Sequence, residues 1–203
     1  MTDMPLIVCG AGGHGLVVAE SAAAGGWIVR GFVDDGDCEK QVGRWPVLDA
    51  SAAEEADVAV HVAIGDNAQR RKVTERFLKA GRRIATIVHP SAWISPSAQI
   101  GQGVYVGPHA AVNAETRIGD GVIVNTAAVI EHHCRVGRFT HVAPHAVLTG
   151  CVHVGQLVLI GAGAVVNPGV HVGDGVTVGA GAAVVSDTPD GQTVTGVPAR
   201  ASR

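Results

Sequence analysis

Ten histidines stand in a chain with few other reactive side chains, and the densest group is Val129-Ile130-Glu131-His132-His133-Cys134, followed by Phe139-Thr140-His141. An imidazole with a carboxylate neighbour is the usual equipment of a general base near neutral pH. A second constellation lies near the start. Gly10-Ala11-Gly12-Gly13-His14-Gly15 satisfies GxGxxG, and Asp34-Asp35 follows about 20 residues on, where a dinucleotide fold places its ribose-binding carboxylate. Glycines there let the backbone approach a diphosphate closely, helix N-terminal N–H groups hold it, and His14 adds a donor. A tight strand-to-helix turn with no ligand would use the same glycines.

The elements that must position these groups differ between the two halves. Over residues 1–88 the pattern alternates: Leu6 to Cys9 reads as a buried strand, Gly15 to Ala24 as a small-residue helix, and Ile28 to Val33 as a strand ending at Asp34-Asp35. A Pro-marked segment around Trp45-Pro46 precedes a strand over Val58 to Ile64. A helix over Ala68 to Lys79, carrying Arg70, Arg71, Lys72 and Arg76, stops at Gly81 as a C-terminal cap would, and Ile84 to Val88 reads as a fourth strand. Strands alternating with helices imply a small, Rossmann-like parallel sheet. A full dinucleotide fold needs two βαβαβ halves, so the length suits a mononucleotide diphosphate better than NAD.

From Ile94 to Val184 every sixth residue is aliphatic, sixteen without a break. A period of six fits neither a helix nor a plain strand and belongs among the β-helix repeats. The motif resembles the isoleucine-patch hexapeptide of left-handed parallel β-helices, which wind three hexapeptides into each triangular coil. That resemblance implies about five coils within residues 89–190, and leaves 191–203 as a C-terminal tail near the cofactor site. Gly at 28 of 203 residues and aromatics at 3% agree with glycine-bearing corners around a narrow prism.

Composition narrows the classes further. The mean hydropathy of +0.28 arises without any run of roughly 18 apolar residues, so no membrane insertion is expected. Leu6 to Cys9 is too short for a signal-peptide core, and a cytoplasmic location is expected. A net charge of -3 with no Lys/Arg run points away from nucleic acid and acidic membranes. Cys9, Cys38, Cys134 and Cys151 show no CxxC pairing, so reduced thiols are expected rather than zinc or disulfides.

With eighteen residues per coil, residues eighteen apart stack about 4.8 Å from one another. Arg117, Arg135, His153 and His171 then form a solvated polar stripe, His109 and His145 lie two coils apart, and Glu115 stacks beneath His133.

Gly10 to Gly15, Ala63-Ile64-Gly65-Asp66-Asn67, Asn125-Thr126, Ile130-Glu131-His132, Phe139-Thr140-His141-Val142 and Gly196-Val197-Pro198-Ala199-Arg200 together resemble the bacterial sugar O- and N-acetyltransferases. Among these the chain is most similar to the bacillosamine- and perosamine-type nucleotide 4-amino-sugar N-acetyltransferases, nearly end to end. The resemblance implies a homotrimer with acetyl-CoA in the groove between neighbouring β-helices, and a nucleotide-linked amino sugar on the N-terminal domain through Gly10, Gly12, Gly13, His14, Gly15, Asp34 and Asp35. It implies His132 as the base that takes a proton from the C4 amine, His141 beside the acetyl carbonyl, and Asn125 close to the reacting groups. Gly150, Ala162 and Ala180 are expected along the pantetheine path, no metal is expected, and the product would feed lipopolysaccharide or other glycan synthesis. One departure matters: close relatives often carry Glu directly after the catalytic His, whereas this chain has His133. Glu115 is the expected substitute for that charge, and which of His132 and His133 is the base stays open, the Ile130-Glu131-His132 frame favouring His132.

Other readings share the fold. Sialic-acid-type O-acetylation would use one His in the same way. A γ-carbonic-anhydrase-like zinc site would use His109 and His145, but its third position is Gly150. A non-catalytic trimeric scaffold would explain neither the Glu131-His132 cluster nor the glycine turn.

Overall fold

The computed structural model describes residues 4–36 and 39–202, and separates into two compact units, Met1–Pro90 and Ser91–Arg203. Cys38 lies outside the described residues. Cys9, Cys134 and Cys151 are free thiols.

In the first unit, strands β1 (Leu6–Cys9), β2 (Val29–Val33), β5 (Ala59–Val62) and β6 (Arg83–Ile84) form a parallel sheet in the order β2-β1-β5-β6. Helix α1 (Gly13–Ala24) follows β1, and α2 (Asn67–Lys79) follows β5. Ile7, Val33, Val60, Phe77 and Ile84 share one buried cluster. Val18, Ala19 and Ala22 bury the other helix; their small volume brings α1 close to the sheet. Helix α2 begins at Asp66, whose carboxylate accepts from Gln69 N–H at 2.8 Å. It ends in a Schellman motif: Gly81 has φ +71°, its N–H bonds Leu78 C=O, and Arg82 N–H bonds Phe77 C=O.

Two features were not expected from the sequence. Strands β3 (Gln41–Val42) and β4 (Trp45–Pro46) form a small antiparallel hairpin, followed by a 3₁₀ turn over Ala50–Glu54. The expected strand over Ile84 to Val88 is interrupted. It leaves the sheet at Ala85, whose N–H still bonds Val60 C=O and whose C=O receives the buried His61 Nδ1 at 2.8 Å, before β7 (Ile87–Val88) begins.

The second unit is the left-handed parallel β-helix. Two-residue strands stack in register eighteen residues apart on three faces. The first face runs Tyr105–Val106, Ile123–Val124, His141–Val142, Leu159–Ile160 and Thr177–Val178. A second, six strands deep, runs from Trp93–Ile94 to Ala183–Val184, and a third, five deep, from Gln99–Ile100 to His171–Val172. The sixfold aliphatic residue points inward and is buried from Val106 to Val184. The residue two places earlier is inward too: Val104, Ala110, Thr116, Val122, Ala128, Cys134, Thr140 and so on to Ala182, all buried. The inward threonines bond chain carbonyls, Thr116 to Glu131 and Thr140 to Gly155, each at 2.8 Å.

From Gly103 to Gly181 each corner contains a residue in the left-handed region, and these are less often glycine than composition suggests. Eight non-glycine residues, His109, Glu115, Ala127, His133, Phe139, His145, Cys151 and Leu157, have φ between 53° and 61°. Each such residue costs roughly 1–2 kcal/mol. Inter-coil hydrogen bonds offset this: His133 N–H bonds Ala114 C=O and Cys151 N–H bonds His132 C=O, both at 2.9 Å. Beyond the repeats the chain is still ordered. Thr193–Thr195 joins the first face parallel to Thr177–Val178, and Arg200–Ala201 pairs antiparallel with it.

Candidate active site

In the first unit the strand order reverses about β1, whose neighbours β2 and β5 are reached by chain departing in opposite directions. In open parallel sheets the crevice at the carboxyl ends of such strands is where ligands bind. Gly10 to Gly15 occupy that place. Their glycines divide into two kinds. Gly10 has φ +111°, and a Cβ there would lie 2.8 Å from Ala63 O; a Cβ on Gly15 would collide with Gly10 O. These two let the turn and α1 pack closely. A Cβ on Gly12 or Gly13 would meet nothing within 4 Å. They lie exposed at the start of α1, with no acidic side chain in its first turn and no side-chain cap. Such a helix start is suited to an anion.

Asp34 and Asp35 have different roles. Asp34 accepts from Ala11 N–H at 2.7 Å and from Gly36 N–H at 2.8 Å, so it braces the glycine turn. Asp35 is exposed, with Arg76 3.6 Å away. His14 is partly buried; burial and then the charge of Arg70 push it down to about 4, so its ring is neutral near pH 7. Arg70, which the sequence places on a charged helix, is 1% exposed. Its guanidinium holds Ile64 O, Gly65 O and Asn67 Oδ1 at 2.7 to 3.1 Å, shaping the turn after β5. Only the polar Gly65-Asp66-Asn67 turn just upstream hints at this.

In the second unit His132 and His133 occupy the corner between the second and third faces. The corner is clamped from both neighbouring coils, by His133 N–H to Ala114 O, Cys151 N–H to His132 O and Thr116 Oγ1 to Glu131 O. Both imidazoles are exposed, and their Nδ1 atoms lie 3.1 Å apart. The rings meet edge-on at 85°. His132 rests on Gly150 of the next coil, where a Cβ would come within 2.7 Å of Cε1 and 2.8 Å of Nε2. Gly150, expected on the pantetheine path, is therefore also the floor under the His132 ring. Glu115 lies one coil before His133 with its N–H on Ser97 Oγ; among the described residues no hydrogen bond or ion pair joins its carboxylate to either imidazole. The partner of His132 is His133.

Asn125, Ala162 and Ala180 lie at the other edge of the second face, where the first face turns into it, and His141 is on the adjoining strand. Asn125 Nδ2 is 3.0 Å from His141 Nε2, and its Oδ1 accepts from Thr126 N–H at 2.8 Å. Since Oδ1 is committed to that N–H, Nδ2 is the donor and His141 carries its proton on Nδ1. Ala162 and Ala180 are exposed and stacked, with Gly181 N–H on Ala162 O. Within one chain the predicted groups are thus gathered on opposite edges of one face: His132, His133 and Gly150 on one, Asn125, His141, Ala162 and Ala180 on the other.

The expected stripe is present: His153 Nδ1 and His171 Nε2 are 3.0 Å apart beside a cleft of about 460 Å³ that Asp187 and Asp190 help line. Among the described residues no group of three or more His, Cys, Asp or Glu is placed to hold a metal. None of the described helices is long and apolar enough to cross a membrane.

A nucleotide-type turn on a small parallel sheet, followed by a β-helix with an exposed imidazole at one corner, defines the class of hexapeptide-repeat acyltransferases. Comparison with known proteins narrows this. Residues 5–77 match the PglD N-terminal domain family. A curated relative, UDP-N-acetylbacillosamine N-acetyltransferase of Bacillus subtilis, is 36% identical over 106 residues; the match spans about half of each chain, 49% of either. The acetyltransferase domain of PglB from Neisseria gonorrhoeae, also solved with acetyl coenzyme A, superposes with a TM-score of 0.93 at 42% identity, over 98% of this chain and 100% of that one. PerB from Caulobacter crescentus, solved with CoA and GDP-perosamine, gives 0.93 at 39% identity over 100% and 99%. The chain belongs to the bacterial nucleotide amino-sugar N-acetyltransferase family.

Proposed function

We propose that this protein transfers the acetyl group of acetyl-CoA to the C4 amine of a nucleotide-linked amino sugar. The observation that carries this reading is end-to-end similarity to two proteins solved with the two halves of such a reaction, one with acetyl coenzyme A and one with CoA and GDP-perosamine. The open glycine turn supports the nucleotide half, with Gly12 and Gly13 approaching a diphosphate and the exposed Asp35 facing the nucleoside.

In the chemical step the amine nitrogen attacks the thioester carbonyl carbon, a C–N bond forms and the C–S bond breaks. Nε2 of His132 takes the proton that the amine gives up and returns it to the departing sulfur. The Nδ1–H of His141, its tautomer set by Asn125, is the donor for the oxygen that gains charge in the tetrahedral intermediate. Coenzyme A runs along the helix axis past Ala162 and Ala180.

Because the two residue groups lie on opposite edges of one face, a site containing both needs a second copy. The outward column of that face supports such an assembly: Trp93, Ala111, Val129, Val147, Val165 and Ala183 are all apolar, Trp93 being 58% exposed. The corresponding column on the third face is Gln99, Arg117, Arg135, His153 and His171. Packing of the apolar column on a neighbouring copy, in a homotrimer, brings His132 of one chain to Asn125 and His141 of the next.

The test is thiol release from acetyl-CoA against UDP-, dTDP- and GDP-linked 4-amino-6-deoxy sugars, with sialic acid as control. Turnover of one nucleotide amino sugar is expected. Turnover of sialic acid alone, or silence across the panel, overturns the reading.

A further inference from the structure

The contact between His132 and His133 has a chemical content that the general-base reading leaves unused. Two ring nitrogens 3.1 Å apart hold a hydrogen bond only when one carries a proton and the other a lone pair. If His133 donates, the neutral His132 ring has its own proton on Nε2 and cannot accept another there. If His132 donates, its Nε2 bears the lone pair. The two arrangements therefore differ in whether His132 can act at all.

We propose that His133 is a positioning residue: its Nδ1 accepts the Nδ1–H of His132 and so holds that imidazole in the tautomer whose Nε2 is free to take a proton. This rests on the reading of His132 as the base. Three features of the corner support the arrangement. The backbone of His133 is held in the left-handed region at φ 60° with its N–H bonded to Ala114 O, and its ring stands edge-on to that of His132 with centroids 5.3 Å apart. Gly150 leaves the room that the His132 ring occupies in this arrangement, since a Cβ there would come within 2.7 Å of Cε1. No acidic side chain among the described residues bonds either ring, so another imidazole supplies the acceptor that a carboxylate would otherwise provide. What His133 contributes is a lone pair, not a charge.

That distinction makes a sharp expectation for two substitutions. His133→Asn keeps a neutral oxygen acceptor at the position of Nδ1, one bond from Cγ, and most of kcat is retained. His133→Phe keeps the ring and removes the acceptor. The freed His132 then drifts to the Nε2–H form, the commoner one in an untethered imidazole, and kcat falls about tenfold or more while the KM for the nucleotide sugar stays put. The experiment couples those kinetics to imidazole ¹⁵N NMR of the free protein, with the His132 signals assigned through His132→Asn. The wild type and His133→Asn are expected to show His132 protonated on Nδ1 near neutral pH, and His133→Phe is expected to lose that form.

An Nε2–H tautomer at His132 in the wild type overturns the proposal. So does wild-type kcat in His133→Phe. The NMR measurement needs no substrate. A protein that holds the Nδ1–H form but acetylates no nucleotide amino sugar would uphold the pairing and overturn the functional reading beneath it.

Discussion

At the scale of single residues, the site depends on how little freedom the His132 ring has. His132→Ala is expected to lower kcat by roughly 10²–10⁴-fold while nucleotide-sugar binding, measured by calorimetry, stays near wild type, because the glycine turn belongs to the other unit. Gly150→Ala tests the floor: a methyl group 2.7 Å from Cε1 must push the ring aside. A displacement of about 1 Å costs on the order of 10²-fold in kcat, read from steady-state rates at saturating substrate. His132 is legible in the sequence because a cluster of imidazoles stands out against an apolar ruler. The steric role of Gly150 is not, since its partner is eighteen residues away and only the coil brings them together. Arg70 misleads for a related reason: helix periodicity puts it among neighbours of like charge, and only the folded turn supplies the three oxygens that make its burial tolerable.

At the scale of elements, the glycine turn is two devices in one loop. Gly15→Ala sets a methyl against the Gly10 carbonyl and is expected to destabilise the first unit by about 3 kcal/mol or more, seen as a lower melting temperature. Gly12→Asp meets open space, so the fold should survive it. Its carboxylate stands where a diphosphate is proposed, and the KM for the nucleotide sugar should rise. The buried His61 gives this sheet an acid sensitivity. Burial outweighs its bond to Ala85 O and pushes it down to about 4 from the usual 6.5. Between those values the unfolded chain binds a proton that the folded chain refuses, so stability falls as pH drops from 6.5 toward 4, by roughly 1.4 kcal/mol per pH unit for this group. Thermal melts across that range should slope downward, and His61→Asn, which retains a donor for Ala85 O, should make the slope shallower, leaving the share that His14 contributes, even if it lowers the neutral-pH plateau. The strand and helix succession is legible from pattern alone. The interruption after Ile84 is not, because it depends on the His61 to Ala85 bond between two strands distant in sequence.

At the scale of the whole molecule, the three faces of the prism are chemically unequal, and the apolar one is the proposed contact between copies. Val147→Lys combined with Val165→Lys, both outward on that face, should leave the inward core intact. Sedimentation should report a smaller species than the wild type, and acetyl transfer should be lost even though every proposed site residue is unchanged. A folded double variant that stays assembled would count against this surface. The sixfold ruler makes the β-helix readable from the order of residues alone. It does not reveal this inequality, because it marks inward positions, whereas the difference lies in the outward residues just before them.

The same regularity makes the β-helix a gauge. Each coil adds one strand spacing, about 4.8 Å, to a cofactor path running parallel to the axis. Ala162 and Ala180 are one such graduation apart. Deleting an entire eighteen-residue coil would leave the inward pattern in phase, yet shorten the distance from the reacting corner to the far end by one mark. Loss of a single residue would instead throw every later side chain out of phase. Reach along the axis can thus be altered only in whole steps, which makes the number of coils a measure of the carrier arm the protein accommodates.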